Sequence, residues 1–530
     1  MNKLLQRANN RMGLGNVAIL LMSASLFGQI LGFLRTKLVN ANFHALGPNS
    51  TDAYFAAFNI PDFFFYTIAA GALGVAFIPV LVDHLQNGDK KAANQLTSSL
   101  LNLLAIVMAI VGAVIFVFAR PLIHDIVAPG LTAHQLNNTV IIMRLLAFNP
   151  LIFTISGILT SLQQSMGRFF FYAIAPMFYN LSIIASIFIF KHNVGITGLG
   201  IGALAGALLQ LIILSVGLAG TNFKWSPKIF WGRKDLKAVL RSYPARSIDQ
   251  GIDQIEGIVE THYARGIGPG NISYYNNANI LMTAPTQLIG SAISTAVFPR
   301  LSNRLSQHRP DLFRRDFLMI LRIMVWLVAP VTVISFFTRG YLARLIFAND
   351  SSQISIIFGF LTAAIFFNTI YTIISRWFYA QKDTLTPLLI SIFTILLDII
   401  LAYKLSRPSS YGVAGLALAQ SSVAAVEVTI LLVIMVIRDH KLLDKDFWGH
   451  ILKTVSVSGF SVLAAYAMVS IFPLEIADHG FVTLGAKFTL IALVTITIHI
   501  SVSWLFGLDE VRPILTRIKR IILKPIKLQY

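Results

Sequence analysis

Apolar stretches of about 20 residues, each long enough to carry a helix across a hydrocarbon layer about 30 Å thick, recur from Asn16 to Phe506. That recurrence confines the chain to an all-α integral membrane fold. Hydrophobic residues make up 56% of the 530 and charged residues only 12%, a balance that leaves no stretch resembling a large soluble domain. The spans fall at 15–37, 54–82, 93–119, 139–161, 168–190, 194–218, 243–265, 272–299, 317–338, 355–379, 387–404, 412–437, 450–472 and 482–506. About fourteen crossings place both termini on one side.

The formal charge of +19 does not point to nucleic acid, because the basic residues sit in short clusters between spans rather than on one folded face. They are topology signals. With both termini cytoplasmic, most of the 42 Lys and Arg lie on the cytoplasmic side, as the positive-inside rule requires. Lys3, Arg7 and Arg11 precede the first span with no cleavage site after it, which marks a retained cytoplasmic start. Cysteine is absent, which excludes disulfides, thiolate metal sites and cysteine nucleophiles.

The seventh span carries Arg246, Asp249, Asp253, Glu256, Glu260 and Arg265 and would fail on hydropathy alone. Parity retains it. The loops holding Lys224 to Lys237 and Arg300 to Arg315 are both strongly basic, so both belong in the cytoplasm and an even number of crossings separates them.

Two related halves follow from recurring motifs. Gly195-Ile-Thr-Gly198-Leu199 matches Gly412-Val-Ala-Gly415-Leu416, Pro79 matches Pro299, and Pro176 matches Pro387, at offsets of 217, 220 and 211 residues. Repeats of this kind are the usual mark of a transporter with its site at their interface. The expected organisation is a six-helix lobe at 1–218, a basic cytoplasmic linker at 219–242, a second six-helix lobe at 243–437, helices 13 and 14 at 438–506 and a basic cytoplasmic tail at 507–530.

A charge at the centre of a membrane helix costs about 2.5 to 3.5 kcal/mol, so ionisable residues within spans mark water, partners or ligands. In the seventh span Asp253, Glu256 and Glu260 lie roughly +40°, −20° and +20° around the helix from Asp249. Such a stripe either lines a wet cavity, binding protons, Na⁺ or a cationic solute, or pairs internally with Arg246, Arg265 and neighbouring bases. Arg35 in the first span could hold phosphate or snorkel to headgroups. Asp52 opens the second span as a helix cap or a site residue. Gly71, Gly74 and Pro61 allow close packing or bending, while Arg144 and Arg322 read as structural. His124, His134, His262 and His479 show no ligand spacing. Phosphate-binding Gly-Lys-Ser/Thr loops, HExxH and Gly-x-Ser-x-Gly elbows are missing, so no soluble-enzyme motif is present.

Two stretches carry a family resemblance. Thr51-Asp52-Ala53-Tyr54 through Ala57-Phe58-Asn59-Ile60-Pro61, with Gly71-Ala72-Leu73 and Ala76-Phe77-Ile78-Pro79-Val80-Leu81, resembles the second helix of the MurJ (MviN) lipid II flippases. Arg376-Trp377-Phe378-Tyr379-Ala380-Gln381-Lys382-Asp383-Thr384 with Thr386-Pro387 is similar to that family's turn between helices ten and eleven. The resemblance implies the MOP exporter fold of two six-helix bundles with alternating access. It further implies an undecaprenyl-pyrophosphate-linked peptidoglycan precursor as solute, flipped toward the outer leaflet of a bacterial cytoplasmic membrane. No cofactor is implied, only coupling to membrane potential, Na⁺ or H⁺, with membrane lipids and the cell-wall synthesis machinery as partners and no nucleic acid. Arg35 matches a cavity arginine of the family, a candidate for holding pyrophosphate, and Asp52 the acidic residue of its Thr-Asp-Ala motif at the outer gate. Gln29 occupies the place of another cavity arginine, and Phe65, Ala70 and Ile280 stand where the family has an arginine, a glutamate and an arginine. A related exporter, moving another lipid-linked oligosaccharide or a cationic compound, is the competing reading.

Overall fold

The computed structural model describes residues 14–70, 77–221, 223–241, 243–347 and 350–512, without the side chains of 14–19, 22, 70, 243–250 and 253. Helices and their connecting turns account for all of these residues, and no strand occurs among them. Eleven helical segments are long and apolar enough to cross a membrane, among them Lys90–Val127, Phe170–Phe190 and Leu385–Leu405. A helix of 21 residues, such as Phe170–Phe190, rises about 32 Å, which matches the hydrocarbon thickness. The first, second and seventh expected spans are not among the eleven. They are present as Leu14–Asn42, as Thr51–Phe65 continued by a π-helical turn at Tyr66–Ala70, and as Tyr243–Ile267. The seventh keeps the charges that lower its hydropathy.

Two compact units divide between Ser273 and Tyr274. The first contains α1 (Leu14–Asn42), α2 (Thr51–Phe65), α3 (Ile78–Gln86), α4 (Lys90–Pro121), α5 (Ala133–Leu146), α6 (Asn149–Ser165), α7 (Phe170–Phe190), α8 (Thr197–Gly217), α9 (Lys234–Arg241) and α10 (Tyr243–Ile267). Expected from sequence to open the second lobe, α10 packs in the first unit against α2 and the π turn after it. Its fit there is local: a Cβ on Gly251 would stand 2.7 Å from Thr67 Oγ1, and Thr261 donates to Asn59 Oδ1 at 3.4 Å.

Between α7 and α8, Gly198, Gly202 and Gly206 recur every fourth residue along one line. Side chains there would collide with Phe190, Ser186 and the Tyr179 backbone respectively. In lipid, where apolar surface gains little by burial against another helix, such close backbone approach is a main source of helix association. Replacing Gly202 with Leu is expected to destabilise the unit by about 1 to 3 kcal/mol, read as a lower unfolding midpoint in detergent. An unchanged midpoint would show that the two helices do not depend on this seam.

The segment 223–241 is strapped onto the ends of α3 and α4 rather than hanging free. Asn102 donates to the Ser226 carbonyl at 2.7 Å, the Phe230 N–H donates to Ser99 Oγ at 2.9 Å, and His84 Nε2 lies 2.8 Å from Asp235 Oδ2. The amphipathic α9 then buries Leu236 and Val239 against Leu81, Leu96 and Leu100.

The second unit contains α11 (Asn271–Pro285, from Tyr274 onward), α12 (Ala292–Ser306), α13 (Pro310–Phe337), α14 (Arg339–Ile346), α15 (Ser351–Ala380), α16 (Leu385–Leu405), α17 (Val413–Arg438), α18 (Lys445–Ile471) and α19 (Phe481–Leu505). Its backbone repeats that of the first unit. A π turn at Thr286–Ser291 lies 220 residues after the one at Tyr66–Ala70, and α13 starts 220 residues after α4. Left-handed residues recur in step, with Gly88, Gly130 and Gly167 answered by His308, Asp350 and Lys382. Gly195 and Gly412 both take positive φ ahead of a helix. The glycine three residues on closes against the last residue of the preceding helix, Phe190 for Gly198 and Leu405 for Gly415.

The turn between α15 and α16 is pinned from within the second unit. Asp383 accepts from the Thr386 N–H at 3.0 Å and hydroxyl at 2.6 Å, and Arg438 Nη1 donates to it at 2.6 Å. Burial pushes the Asp383 carboxyl up, but the Thr386 donors and the Arg438 guanidinium outweigh it and hold the group at about 2. A depressed carboxylate stabilises the fold above its unfolded value near 3.8, and the contribution is lost as pH falls through about 2. The unfolding midpoint is therefore expected to fall between pH 4 and pH 2 more steeply in the parent protein than in Asp383→Asn. Parallel curves would remove this turn from the acid sensitivity.

Candidate functional site

The small residues of α1 leave a cavity of about 600 Å³ between it and α7. Ser25, Gly28, Gln29, Gly32 and Arg35 line it from α1, and Tyr172, Pro176, Met177 and Asn180 from α7. The α1 positions follow the helical repeat, so they occupy one side of the helix. A Cβ on Gly28 or Gly32 would meet nothing within 4 Å; these glycines hold space open, unlike those in the α7–α8 seam. Arg35 and Gln29 are thereby brought to one cavity. Arg35 is partly accessible and makes no hydrogen bond or ion pair with any described residue. A guanidinium placed so in a membrane helix can receive a phosphate or carboxylate through two parallel hydrogen bonds.

Asp52 is not among the residues lining that cavity. It is fully buried in the first turn of α2, where Ser50 caps the helix by accepting from the Asp52 N–H. Its carboxylate turns instead to the corner between α10 and α11, accepting from the Gly270 N–H at 2.7 Å, the Ser273 N–H at 2.9 Å and the Ser273 hydroxyl at 2.7 Å. Thr51 Oγ1 lies 2.7 Å from the same hydroxyl. Arg265 Nη1 adds charge at 3.7 Å, and Arg265 Nη2 donates to the Gly130 carbonyl at 2.6 Å. The result is a buried latch that fastens α2 to the far end of α10.

On α10, Glu260 is buried and Glu256 partly so. The side chains of Asp249 and Asp253 lie outside the described residues. Arg265, one of the bases that an internally paired stripe would use, is instead turned to Asp52. Arg144 donates to the Phe116 carbonyl at 3.1 Å and stands over that ring, and Arg322 lies 3.6 Å from Glu510. Both are tied to neighbouring protein, as a structural reading requires.

One carboxylate escaped the sequence reading. Asp62 sits in Asn59-Ile60-Pro61-Asp62-Phe63-Phe64, and a charge inside an apolar run is the same signal that singled out α10. It lies within electrostatic range of Arg35, together with Tyr54, Tyr66 and Tyr179. No ion pair of 4 Å or less joins Asp62 to Arg35.

The family model described as "Lipid II flippase MurJ" matches residues 44–505. A probable lipid II flippase MurJ of Borreliella burgdorferi is 24% identical over 414 residues, covering 76% of this chain and 79% of the relative. The lipid II flippase MurJ of Burkholderia cenocepacia is 25% identical over 382 residues, 69% of this chain and 73% of its own. Among solved structures, a lipid II flippase MurJ in an inward closed conformation superposes with a TM-score of 0.74 at 23% identity, over 91% of this chain and 98% of that one. An inward-facing multidrug resistance MATE family transporter of the MOP superfamily gives a TM-score of 0.67 at 14% identity, over 80% and 98%. At these identities the two structures establish the fold alone.

Proposed function

Because this multi-pass membrane protein belongs to the MurJ lipid II flippase family, we propose that it carries undecaprenyl-pyrophosphate-linked peptidoglycan precursor from the inner to the outer leaflet of the bacterial cytoplasmic membrane. The observation that carries this reading is Arg35, a cation with no ion pair among the described residues, on the wall of a cavity that glycines keep open inside a membrane unit. A doubly charged pyrophosphate is the costliest part of such a lipid to bring through hydrocarbon. Arg35 supplies the opposite charge there, and Gln29 from α1 and Asn180 from α7 add polar groups to the same cavity.

Transport by alternating access then needs the helices around the bound headgroup to open to one leaflet at a time, with both termini cytoplasmic. The Asp52 latch on the α10–α11 corner is suited to an outer gate, since it is built from several short hydrogen bonds that can break together. Glu256 and Glu260 are the described residues best placed on α10 to respond to a coupling cation. Depletion of the protein from growing cells tests the proposal: precursor should accumulate on the inner leaflet and the cells should lyse. Normal wall synthesis after depletion would defeat it.

The acidic residues of α10 and the fold shared with MATE transporters favour one other reading, export of a cationic compound by ion exchange. In that case proteoliposomes would take up an organic cation against a Na⁺ or proton gradient and leave lipid II where it was.

A further inference from the structure

Asp62 does not line the Arg35 cavity, but it lies within electrostatic range of Arg35, in surroundings whose composition phosphate binding does not call for. From Tyr66 the rings run without a break to α7: Tyr66 to Phe65 at 5.2 Å, Phe65 to Phe153 at 5.6 Å and Phe153 to Tyr179 at 5.4 Å between centroids. Asp62, in the last turn of α2, lies four residues before Tyr66, which opens the π-helical turn. Asp62 is partly accessible as a residue, and its carboxylate accepts no hydrogen bond from any described residue. Left alone in a membrane helix it would be costly, so it calls for a cation. Arg35 is near enough to be felt but stands apart as a separate charge on α1. Aromatic faces carry negative electrostatic potential and attract ammonium groups, most strongly when water is excluded.

We propose that Asp62 and the rings beside it form a cation-accepting subsite within electrostatic range of Arg35, so that the protein selects a lipid-linked headgroup carrying a free ammonium as well as phosphate. The inference rests on the reading that Arg35 receives the phosphate, and it adds that the precursor's peptide amine is recognised too. It also explains the aromatic Phe65 in this row of rings, since an arginine there would repel the ammonium.

Two measurements on the full-length protein test it separately from the flippase reading. In detergent solution, Asp62→Asn should weaken binding of phosphoethanolamine about tenfold and tighten binding of inorganic pyrophosphate, because one change removes a partner for ammonium and a repulsion for phosphate. Asp62→Glu should restore both. In proteoliposomes, the parent should flip a precursor with a free peptide amine faster than one whose amine is acetylated, and Asp62→Asn should flip the two equally. If the Asn variant unfolds at the parent's midpoint yet leaves both affinities and the amine preference unchanged, the subsite does not exist. If neither precursor is flipped by the parent, the flippase reading fails while the affinities still decide the subsite.

Discussion

Arg35→Ala is expected to reduce flipping of lipid-linked precursor in proteoliposomes by about a hundredfold, the equivalent of losing a charge-assisted, two-pronged contact worth about 2 to 3 kcal/mol. Membrane insertion and unfolding midpoint should stay at parental values, because Arg35 has no hydrogen bond or ion pair among the described residues to lose. Arg35→Lys should recover only part of the rate, since an ammonium keeps the charge but not the fork geometry. A companion change separates charge from space: Gly28→Leu projects into the cavity, where a Cβ meets nothing within 4 Å, and should block transport without destabilising the fold. Full activity of Arg35→Ala would remove this cavity from the transport path, whatever the family of the chain.

Asp52→Ala should have the largest effect on stability, about 3 to 5 kcal/mol, because it strips the partner from a buried charge. Among the described residues Arg265, 4% exposed at its side chain, would keep only the Gly130 carbonyl, and the Gly270 and Ser273 N–H groups would lose their acceptor. Asp52→Asn keeps an acceptor oxygen and should cost less. A drop of many degrees in unfolding midpoint for Ala, with Asn intermediate, is the expected pattern. If Ala unfolds with the parent, the latch is not holding α2 to the α10–α11 corner.

Much of the helical order could be read from residues adjacent in the chain. The expected span 168–190 became Phe170–Phe190, and 387–404 became Leu385–Leu405, because apolar runs that end at Gly, Pro or polar turns carry their own boundaries. The charged seventh helix was recovered only through the basic loops on either side of it. Its assignment to a unit was not recovered, since Gly251 against Thr67 and Thr261 against Asn59 are contacts between residues far apart in the chain, 202 positions for the second pair. Arg35 and Gln29 were picked out as charged and polar groups in a span, yet nothing local showed that Gly28 and Gly32 face open space while Gly202 faces Ser186. Asp62 was overlooked although its signal was present, because the aromatic residues around it read as ordinary lipid-facing apolar sequence.

What the sequence by itself determined, then, is the membrane architecture: helix number and type, the duplication and the motifs of the family, all set by hydropathy, turn residues and recurring spacing within short windows. Tertiary structure alone decided which charges are used up and which are available. Asp52 is spent on Gly270 and Ser273, more than 200 residues away, whereas Arg35 is left on a cavity wall. The reason is physical: a buried charge takes its role from whatever partner the packing brings within hydrogen-bond reach, and no local pattern specifies that partner.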